Sequence, residues 1–189
     1  ILNQCKIDNR YAPATKIAQI FYNKKLKQNR SKSLKPEYEY NIDLAKFFLE
    51  DNNKNISDSK PPYLSIANNI QKNEKQLMIY VHPYTGGSSK CLSSIDTIKL
   101  CKEIEKFHPC VFMLHCDKYD YDKCKEIQNT SNMDNMNVIR PTESLYEMCS
   151  NINQCDIFIA GSTGPLHVAG ALNKKTVGLY PSKISSTSL

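Results

Sequence analysis

The chain has 189 residues and a formal net charge of +6, with 40% hydrophobic and 23% charged residues. This composition is ordinary for a soluble globular domain, and the apolar runs fall far short of the roughly 20 residues that a membrane-spanning helix needs. The eight cysteines are irregularly spaced, with no Cys-x-x-Cys pair and no signal peptide, which argues against a disulfide framework and predicts reduced thiols in the cytosol.

The positive charge is concentrated in residues 16–35, which contain seven basic and no acidic residues. We call these residues the basic stretch. It can contact nucleic acid, anionic lipid headgroups or an anionic substrate, or it can be a solvated helix face. Aromatic residues are not interleaved through it as a single-strand binder requires, so nucleic acid is the least favoured partner. The chain starts without an initiator Met, and we expect it to begin inside a longer protein.

The first third of the chain predicts two helices and then a domain boundary. Apolar residues at helical spacing favour helices over residues 12–28 and 38–49. Residues 51–60 are polar and rich in turn formers, and a Pro-Pro pair closes them, so we place a boundary there. The prediction is a helical segment over residues 1–60 and a second domain over residues 61–189.

From residue 77 onward, short apolar runs alternate with helical patterns. Strands are predicted over residues 77–82, 111–114, 137–139, 156–160 and 176–179. Helices are predicted over residues 93–107, 121–128, 144–152 and 165–172. This alternation indicates a parallel sheet covered on both faces, so the predicted fold class is α/β, with a doubly wound parallel sheet.

A zinc site is one interpretation of His108, Cys110, His115 and Cys116. Their spacing, however, fits no common structural zinc site. Residues 110–115 also form an apolar run typical of a buried strand, whose side chains alternate between the two faces. We therefore predict no metal site.

The loop after the fourth of these strands has the composition of an anion site. Two hydroxyl residues, Ser162 and Thr163, precede a helix that opens with Gly164 and Pro165. Either hydroxyl can cap the helix, and proline in the first turn lacks only an N–H that has no intrahelical partner. Free N–H groups at the positive end of the helix dipole then favour an anion, with His167 one turn further on. A capped helix without a ligand is the alternative that the spacing leaves open.

The loop after the first of these strands is a weaker candidate of the same kind. Its two glycines allow close approach of the backbone to a ligand, and Lys90 supplies a positive charge. Hydroxyl donors come from Thr85, Ser88 and Ser89. The chain has neither P-loop spacing nor a GxGxxG motif, which disfavours an ATPase or a nicotinamide-dependent enzyme. Two such loops after strands of one sheet indicate a ligand that carries a diphosphate.

Residues 156–172, DIFIAGSTGPLHVAGAL, followed by TVGLY at 176–180, resemble the signature of the heptosyltransferase family, glycosyltransferase family nine. Residues 82–90 resemble that family's histidine-proline-glycine-serine-glycine loop. Residues 6–10 and 30–44 are similar to the stretch that joins its two domains. The resemblance thus touches both ends of the chain and is most specific at residues 162–167.

The resemblance implies a GT-B enzyme, with two Rossmann-like domains facing a cleft. This chain would supply the C-terminal domain, which binds ADP-heptose, and the helical inter-domain segment before it. The residues implied to hold the diphosphate are Thr85, Gly86, Lys90, Thr163, Gly164 and His167. Ser162 would stand near the sugar, where several relatives carry Asp, and Asp117 would contact the ribose.

The implied reaction is displacement of ADP from the sugar by an acceptor hydroxyl of the lipopolysaccharide core. The helix dipole and Lys90 would stabilise the departing diphosphate, so that neither a metal ion nor another cofactor is required. In the family the N-terminal domain binds the acceptor and carries the expected general-base carboxylate, and we expect that domain to precede Ile1 in the longer protein. We therefore predict no catalytic residue within this chain.

The chain departs from the family pattern in the loop after the first strand. Tyr84 replaces the usual glycine, and residues 91–93 stand where relatives commonly have an aromatic-proline pair. These departures concern the identity of the donor more than the fold.

The leading hypothesis is therefore the donor-binding fragment of a bacterial glycosyltransferase. It would act in the cytoplasm at the inner face of the inner membrane, with the basic stretch facing the anionic acceptor or the membrane surface. The alternative is a non-catalytic nucleotide-binding module, the product of a broken or partial reading frame. A third hypothesis, a basic nucleic-acid-binding protein, has only the basic stretch in its favour.

Overall fold

The computed structural model describes residues 7–14, 17–32, 34–54, 61–66, 76–86 and 91–180. The chain divides into two compact units, and the division lies between Pro62 and Tyr63. The boundary predicted between residues 60 and 61 lies beside this division. The assignment of the two parts as a linking segment and a donor-binding domain stays a prediction.

The first unit contains a pair of short parallel strands and one long helix. In chain order its elements are β1 (Tyr11–Pro13), a 3-10 helix (Ile17–Phe21), β2 (Lys24–Leu26), a second 3-10 helix (Arg30–Lys32) and α1 (Glu37–Asp51). Tyr11 lies opposite Lys24 in the strand pair, and its ring packs edge-on against Phe47 and Phe48 of α1. The helix predicted over residues 38–49 is confirmed.

The helix predicted over residues 12–28 is wrong. This stretch forms β1, a 3-10 helix and β2, because the two strands satisfy their backbone groups by pairing with each other. Asn23, just before β2, links the two strands, because its side-chain oxygen accepts a hydrogen bond from the amide of Arg10, just before β1, at 2.9 Å. Ile17 and Ile20, which suggested a buried helical stripe, are 87% and 69% exposed.

Acidic residues of α1 neutralise part of the basic stretch. Three ion pairs join the two, namely Lys24–Asp51, Arg30–Glu37 and Lys35–Asp43. Ion pairs at a protein surface contribute only about 0–1 kcal/mol each to stability. Their main effect is therefore on charge, because three of the seven cations already have a carboxylate beside them.

The second unit is a five-stranded parallel sheet with helices on both faces. Its strands are β3 (Leu77–His82), β4 (Cys110–Leu114), β5 (Met136–Val138), β6 (Ile157–Gly161) and β7 (Lys175–Leu179). Its helices are α2 (Ser94–Glu105), α3 (Tyr121–Ser131), α4 (Leu145–Ile152) and α5 (Gly164–Ala171). The α/β class with a doubly wound parallel sheet is confirmed, as is each strand and helix predicted from residue 77 onward.

Alternating side chains along the central strand build a separate core on each face of the sheet. Ile79 and Val81 pack with buried residues of α2 and α3 on one face. Tyr80 packs on the other face with Phe158 of β6 and with buried residues of α4 and α5. This alternation is the ordinary consequence of the two-residue repeat of a strand, and it also decides which way His82, at the end of β3, points.

The order of the strands, β5-β4-β3-β6-β7, creates a crevice at the carboxyl end of the sheet. The chain runs outward from β3 through β4 to β5 and then returns to β6 on the other side of β3. Ligands of open α/β sheets bind at such a reversal, outside the carboxyl ends of the strands. The two loops that the sequence identified as anion sites follow β3 and β6, so they meet at this crevice.

The described residues contain no group of three or more His, Cys, Asp or Glu side chains arranged to hold a metal ion. Cys110 and His115, considered above as zinc ligands, are buried at the two ends of the β4 segment. Seven cysteines of the described ranges are free thiols. No helix within these ranges is both long and apolar enough to cross a membrane.

Candidate functional site

A cavity of about 820 Å³ opens at the crevice between β3 and β6. The described residues that line it come from the carboxyl ends of four strands and from the helices α4 and α5. They are His82, Thr85 and Gly86 at the end of β3, residues 115–119 after β4, residues 141–143 after β5, Met148 of α4, and residues 163–165 between β6 and the first turn of α5. The volume lies within the range of about 300–1,000 Å³ that small-molecule sites occupy. The position and the size are those of a ligand site.

The start of α5 forms one end of the cavity. Thr163 is the N-cap residue, but its hydroxyl makes no capping bond and instead donates to the carbonyl of Gly161 at 3.4 Å. The predicted capping by a side chain is therefore wrong for Thr163, because the hydroxyl points back toward β6. Gly164 and Pro165 line the cavity directly after it. Among the described residues no side chain caps α5, and its start, the positive end of the helix dipole, borders the cavity.

The loop after β3 borders the same end of the cavity. Gly86 has a φ of +58°, the left-handed conformation that favours glycine, and a Cβ atom there would meet nothing within 4 Å. The hydroxyl of Thr85 lies 3.2 Å from the Sγ atom of Cys91. Thr85 and Gly86 therefore lie where the sequence predicted them, beside the start of α5. Ser88 and Lys90, predicted for the same site, lie outside the described residues.

Two buried histidines form the floor of the cavity. Nδ1 of His82 lies 2.7 Å from the backbone oxygen of His115 and 3.1 Å from Nδ1 of the His115 ring. Because the backbone oxygen can only accept, we assign a proton to Nδ1 of His82, which donates to it. Nδ1 of His115 must then accept from the same N–H, and neutral His115 carries its proton on Nε2.

Burial lowers the pKa of both histidines. The pKa of His115 falls to about 3, first because of its burial and then because of the neighbouring His82. Burial also lowers the pKa of His82. The hydrogen bond to His115 and the negative charges of Asp117 and Asp120 raise this pKa, but by less than burial lowers it. Both rings are therefore neutral near pH 7, as the shared N–H requires.

The loop after β4 supplies a carboxylate and a cation to the cavity wall. Oδ1 of Asp117 accepts hydrogen bonds from the amides of Tyr119 at 2.8 Å and Asp120 at 3.1 Å, which fixes the turn. Lys118 lines the cavity next to it, with Nζ 5.1 Å from the centre of the Tyr119 ring. Asp117 thus lines the cavity, and its contact with a ribose, which the family resemblance implies, stays a prediction.

The loop between β5 and α4 closes the opposite side of the cavity. Ser144 caps α4, because its hydroxyl accepts a hydrogen bond from the amide of Glu147 at 3.1 Å. The carboxylate of Glu147 in turn accepts from the amide of Glu143 at 3.1 Å. The pair of bonds resembles a capping box, except that Glu147 reaches the amide one residue before the N-cap Ser144. The second bond ties Glu143, which lines the cavity, to the first turn of α4.

The structure brings together five of the nine predicted site residues, namely Thr85, Gly86, Asp117, Thr163 and Gly164. The wall formed by the described residues includes neither Ser162, which is half-buried, nor His167, which is exposed on α5. Sequence analysis missed His82, His115, Lys118 and Met148, and it missed residues 141–143. Only the strand ends gave a signal for them, since every loop after a carboxyl end of the sheet is a candidate for the wall.

A sequence model of the family described as glycosyltransferase family 9 (heptosyltransferase) matches residues 4–186. The chain is 35% identical over 192 residues to a protein of Haemophilus influenzae named "Putative glycosyltransferase", covering 95% of this chain and 56% of the relative. It is 25% identical over 150 residues to lipooligosaccharide heptosyltransferase 2 of Campylobacter jejuni, covering 75% of this chain and 47% of the relative. The chain thus spans about half the length of these curated relatives.

Two solved structures share the fold. The glycosyl transferase family 9 protein from Veillonella parvula matches with a TM-score of 0.65 and 12% identity, over 89% of this chain and 50% of that one. The Escherichia coli heptosyltransferase WaaC with ADP-2-deoxy-2-fluoro heptose matches with a TM-score of 0.61 and 14% identity, over 92% of this chain and 53% of that one. At these identities the likeness establishes the fold.

Proposed function

We propose, because the chain belongs to glycosyltransferase family 9, that it is the donor-binding part of a bacterial enzyme that transfers a sugar from a nucleotide donor. The donor is ADP-heptose, or the ADP derivative of a similar sugar. The acceptor is a hydroxyl of the lipopolysaccharide inner core. Membership of the family supports the class of reaction, while the donor and the acceptor depend on the arguments that follow.

The observation that carries the proposal is that the two loops with the composition of anion sites line one cavity. Thr85 and Gly86 line it from the end of β3, and Thr163 and Gly164 line it from the start of α5. The hydroxyl of Thr163 is directed to a backbone carbonyl, Pro165 has no N–H, and the amides of Leu166 and His167 donate to the carbonyl of Thr163. The amide of Gly164 is therefore the one at the start of α5 that we assign to the ligand. A diphosphate matches two donor loops and a positive helix end, whereas a helix that is only capped would need neither the second loop nor the cavity.

The reaction is a displacement at the anomeric carbon of the sugar. The acceptor oxygen forms a bond to this carbon while the bond from the carbon to the β-phosphate oxygen breaks, and ADP leaves with the electron pair. The amide of Gly164 and the dipole of α5, with Lys90 and Lys118, stabilise the negative charge that develops on the diphosphate. The proton of the acceptor hydroxyl passes to a carboxylate that we place outside this chain, and the proposal includes no metal ion or other cofactor.

Two arguments favour an ADP donor. The cavity extends from the diphosphate loops to residues 141–143 and Met148, and its volume of about 820 Å³ leaves room for a nucleoside beyond the phosphates. The Escherichia coli heptosyltransferase of the same fold was solved with ADP-2-deoxy-2-fluoro heptose. In our proposal His167 and Ser162 keep the roles that the family resemblance implies, contact with the diphosphate and with the sugar.

The assignment of the acceptor is based on the Campylobacter relatives, which are named lipooligosaccharide and lipopolysaccharide heptosyltransferases. An inner core is anionic, and so is a membrane surface. The exposed cations Lys25 and Lys27 lie outside the three ion pairs of the basic stretch and are available to either. We therefore propose that the enzyme works in the cytoplasm, at the inner face of the inner membrane.

The alternative function, a nucleotide-binding module without catalysis, uses the same cavity. The two hypotheses differ in the coding sequence that they predict upstream of Ile1. A second Rossmann-like domain in the upstream coding sequence favours the enzyme, and its absence from the genome favours the module.

Isothermal titration of the chain with ADP, UDP and GDP tests the donor. We expect ADP to bind most tightly, and we expect Lys90→Ala and Lys118→Ala each to weaken ADP binding about 10-fold, the loss of one charged hydrogen bond. Lys99→Ala, on the exposed side of α2, removes an equal charge away from the cavity and is the matched control. Equal binding of the three nucleotides, or no binding by a chain that circular dichroism shows to be folded, would contradict the proposed donor.

A further inference from the structure

The histidine pair at the floor of the cavity has no part in the anion-binding loops. His82 and His115 are only 9% and 5% exposed, yet both line the cavity. Below them lies the buried ring of Phe158, with centroids 6.4 Å from His82 and 5.9 Å from His115. An apolar core thus supports two polar rings that both line the cavity, and His82 also borders a second pocket beside Pro83.

The ring nitrogens outside the contact between the two histidines are the two Nε2 atoms. Each Nδ1 atom is engaged in the contact within the pair. Within the described part of the chain, neither Nε2 belongs to the buried polar atoms that lack a partner, so both are accessible to a ligand. With the protons assigned above, Nε2 of His82 is an acceptor and Nε2 of His115 is a donor. The floor therefore presents one acceptor beside one donor.

The position of the pair indicates which part of a nucleotide lies over it. His82 is opposite Ala160 in the register of β3 and β6. Thr85 and Thr163, which border the diphosphate end of the cavity, each follow these two residues by three positions along the chain. In the proposed donor the diphosphate lies between the ribose and the transferred sugar. His115 is two residues before Asp117, for which the family resemblance implies contact with the ribose, so we place the pair on the ribose side. The 2′ and 3′ hydroxyls of the ribose lie side by side, and each can both donate and accept.

We propose that His82 and His115 recognise the ribose of the donor, with Nε2 of His82 accepting from one hydroxyl and Nε2–H of His115 donating to the other. This inference rests on the proposed function, because it requires a nucleoside diphosphate in the cavity. It adds a fixed pair to the single contact expected from Asp117, whose Oδ1 atom is already occupied by two backbone amides. The hydrogen bonds of the Nδ1 atoms fix the tautomer of each ring. Which Nε2 atom donates and which accepts is therefore set before the ligand binds.

Titration of the full chain with ADP and with 2′,3′-dideoxy-ADP tests the inference. Two hydrogen bonds of about 1 kcal/mol each predict that the wild-type chain binds ADP about 30-fold more tightly than the dideoxy nucleotide. His82→Asn keeps a polar group near the position of Nδ1 and removes the one at Nε2, and we expect the ratio to fall to about 5-fold. His82→Gln restores a polar group near Nε2 and should recover most of the ratio. His108→Asn changes an exposed histidine outside the cavity and should leave the ratio as in the wild type.

Nitrogen NMR of the wild-type chain labelled in its four histidines provides a second measurement, which needs no variant to fold. The ring shifts of the free chain should show a proton on Nδ1 of His82 and on Nε2 of His115. Addition of ADP should shift both Nε2 signals, and dideoxy-ADP should not.

The outcomes separate the two proposals. A folded wild-type chain that binds no ADP contradicts the proposed function, and the inference falls with it. Binding of ADP and dideoxy-ADP with equal affinity, an unchanged ratio in His82→Asn, or Nε2 signals that ignore ADP would overturn the ribose assignment while the donor site stands.

Discussion

Replacement of Gly164 by proline isolates one backbone amide at the start of α5. Thr163, the residue before it, has φ of −138° and ψ of 158°, an extended conformation that a following proline permits. Position 164 is the first residue of α5, where proline is well tolerated. Gly164→Pro should therefore fold normally and lose only the N–H that we assign to the diphosphate.

The expected magnitude follows from the charge of the acceptor. A hydrogen bond to a charged group contributes about 1.5–3 kcal/mol, so the affinity for ADP should fall by about 10- to 150-fold. Stability should change little, because the gain from restricting the unfolded chain at position 164 is opposed by the preference of a residue before Pro165 for extended backbone. A large loss of binding without a loss of stability is a combination that general damage to the fold does not produce.

Gly164→Ala is the matched control. It restricts the unfolded chain in a similar way, but it retains the N–H, and a Cβ atom at this position would meet no heavy atom within 4 Å. Isothermal titration with ADP gives the affinities, and urea denaturation gives the free energies of unfolding. If the proline variant bound ADP as tightly as the alanine variant, the start of α5 would not be the phosphate site and the central argument for the donor cavity would fail.

Three further predictions concern stability, all measured by urea denaturation. Because the folded pKa of His115 is about 3 and the unfolded ring titrates near 6.5, the unfolded state gains protons first as the pH falls, and stability at pH 5 should be about 2 kcal/mol lower than at pH 7. His115→Gln should flatten this loss, and an unchanged slope would show that other groups cause it. Phe158→Ala should lower the free energy of unfolding by about 3–5 kcal/mol, whereas Phe107→Ala, at a side chain 77% exposed, should change it by less than about 0.5 kcal/mol. Ser144→Ala should cost about 1 kcal/mol because α4 loses its cap, and a loss below about 0.3 kcal/mol would contradict that role.

The second unit was predictable because its signals are local and agree with one another. The segments around β3 and β6 are apolar runs of strand length, and each is separated from the next by a helical pattern. Strand and helix therefore follow from periodicities within a few residues. Parallel pairing then follows from the alternation, because a crossover helix returns the chain to the same end of the sheet.

The first unit shows where local signals fail. Tyr11 pairs with Lys24, thirteen positions away, and no pattern within residues 12–28 announces that pairing. Ile17 and Ile20 satisfy the spacing of a buried helical face but lie exposed. Propensity and periodicity are weak preferences, and backbone pairing with a distant segment overrides them.

In the candidate site, sequence and tertiary structure contributed different things. Glycines, hydroxyls and a proline beside strand ends mark the anion loops in the sequence, because phosphate binding needs free amides at turns and helix starts. The sequence thus determined the family, the α/β class and the residues around Gly86 and Gly164. Only the tertiary structure decided that the hydroxyl of Thr163 turns back to the carbonyl of Gly161, and that the Nδ1 atoms of His82 and His115 lie 3.1 Å apart at the cavity. The reason is that the direction of a side chain at a strand end depends on sheet register and on neighbours brought in from other strands, and neither is encoded in any short segment of the chain.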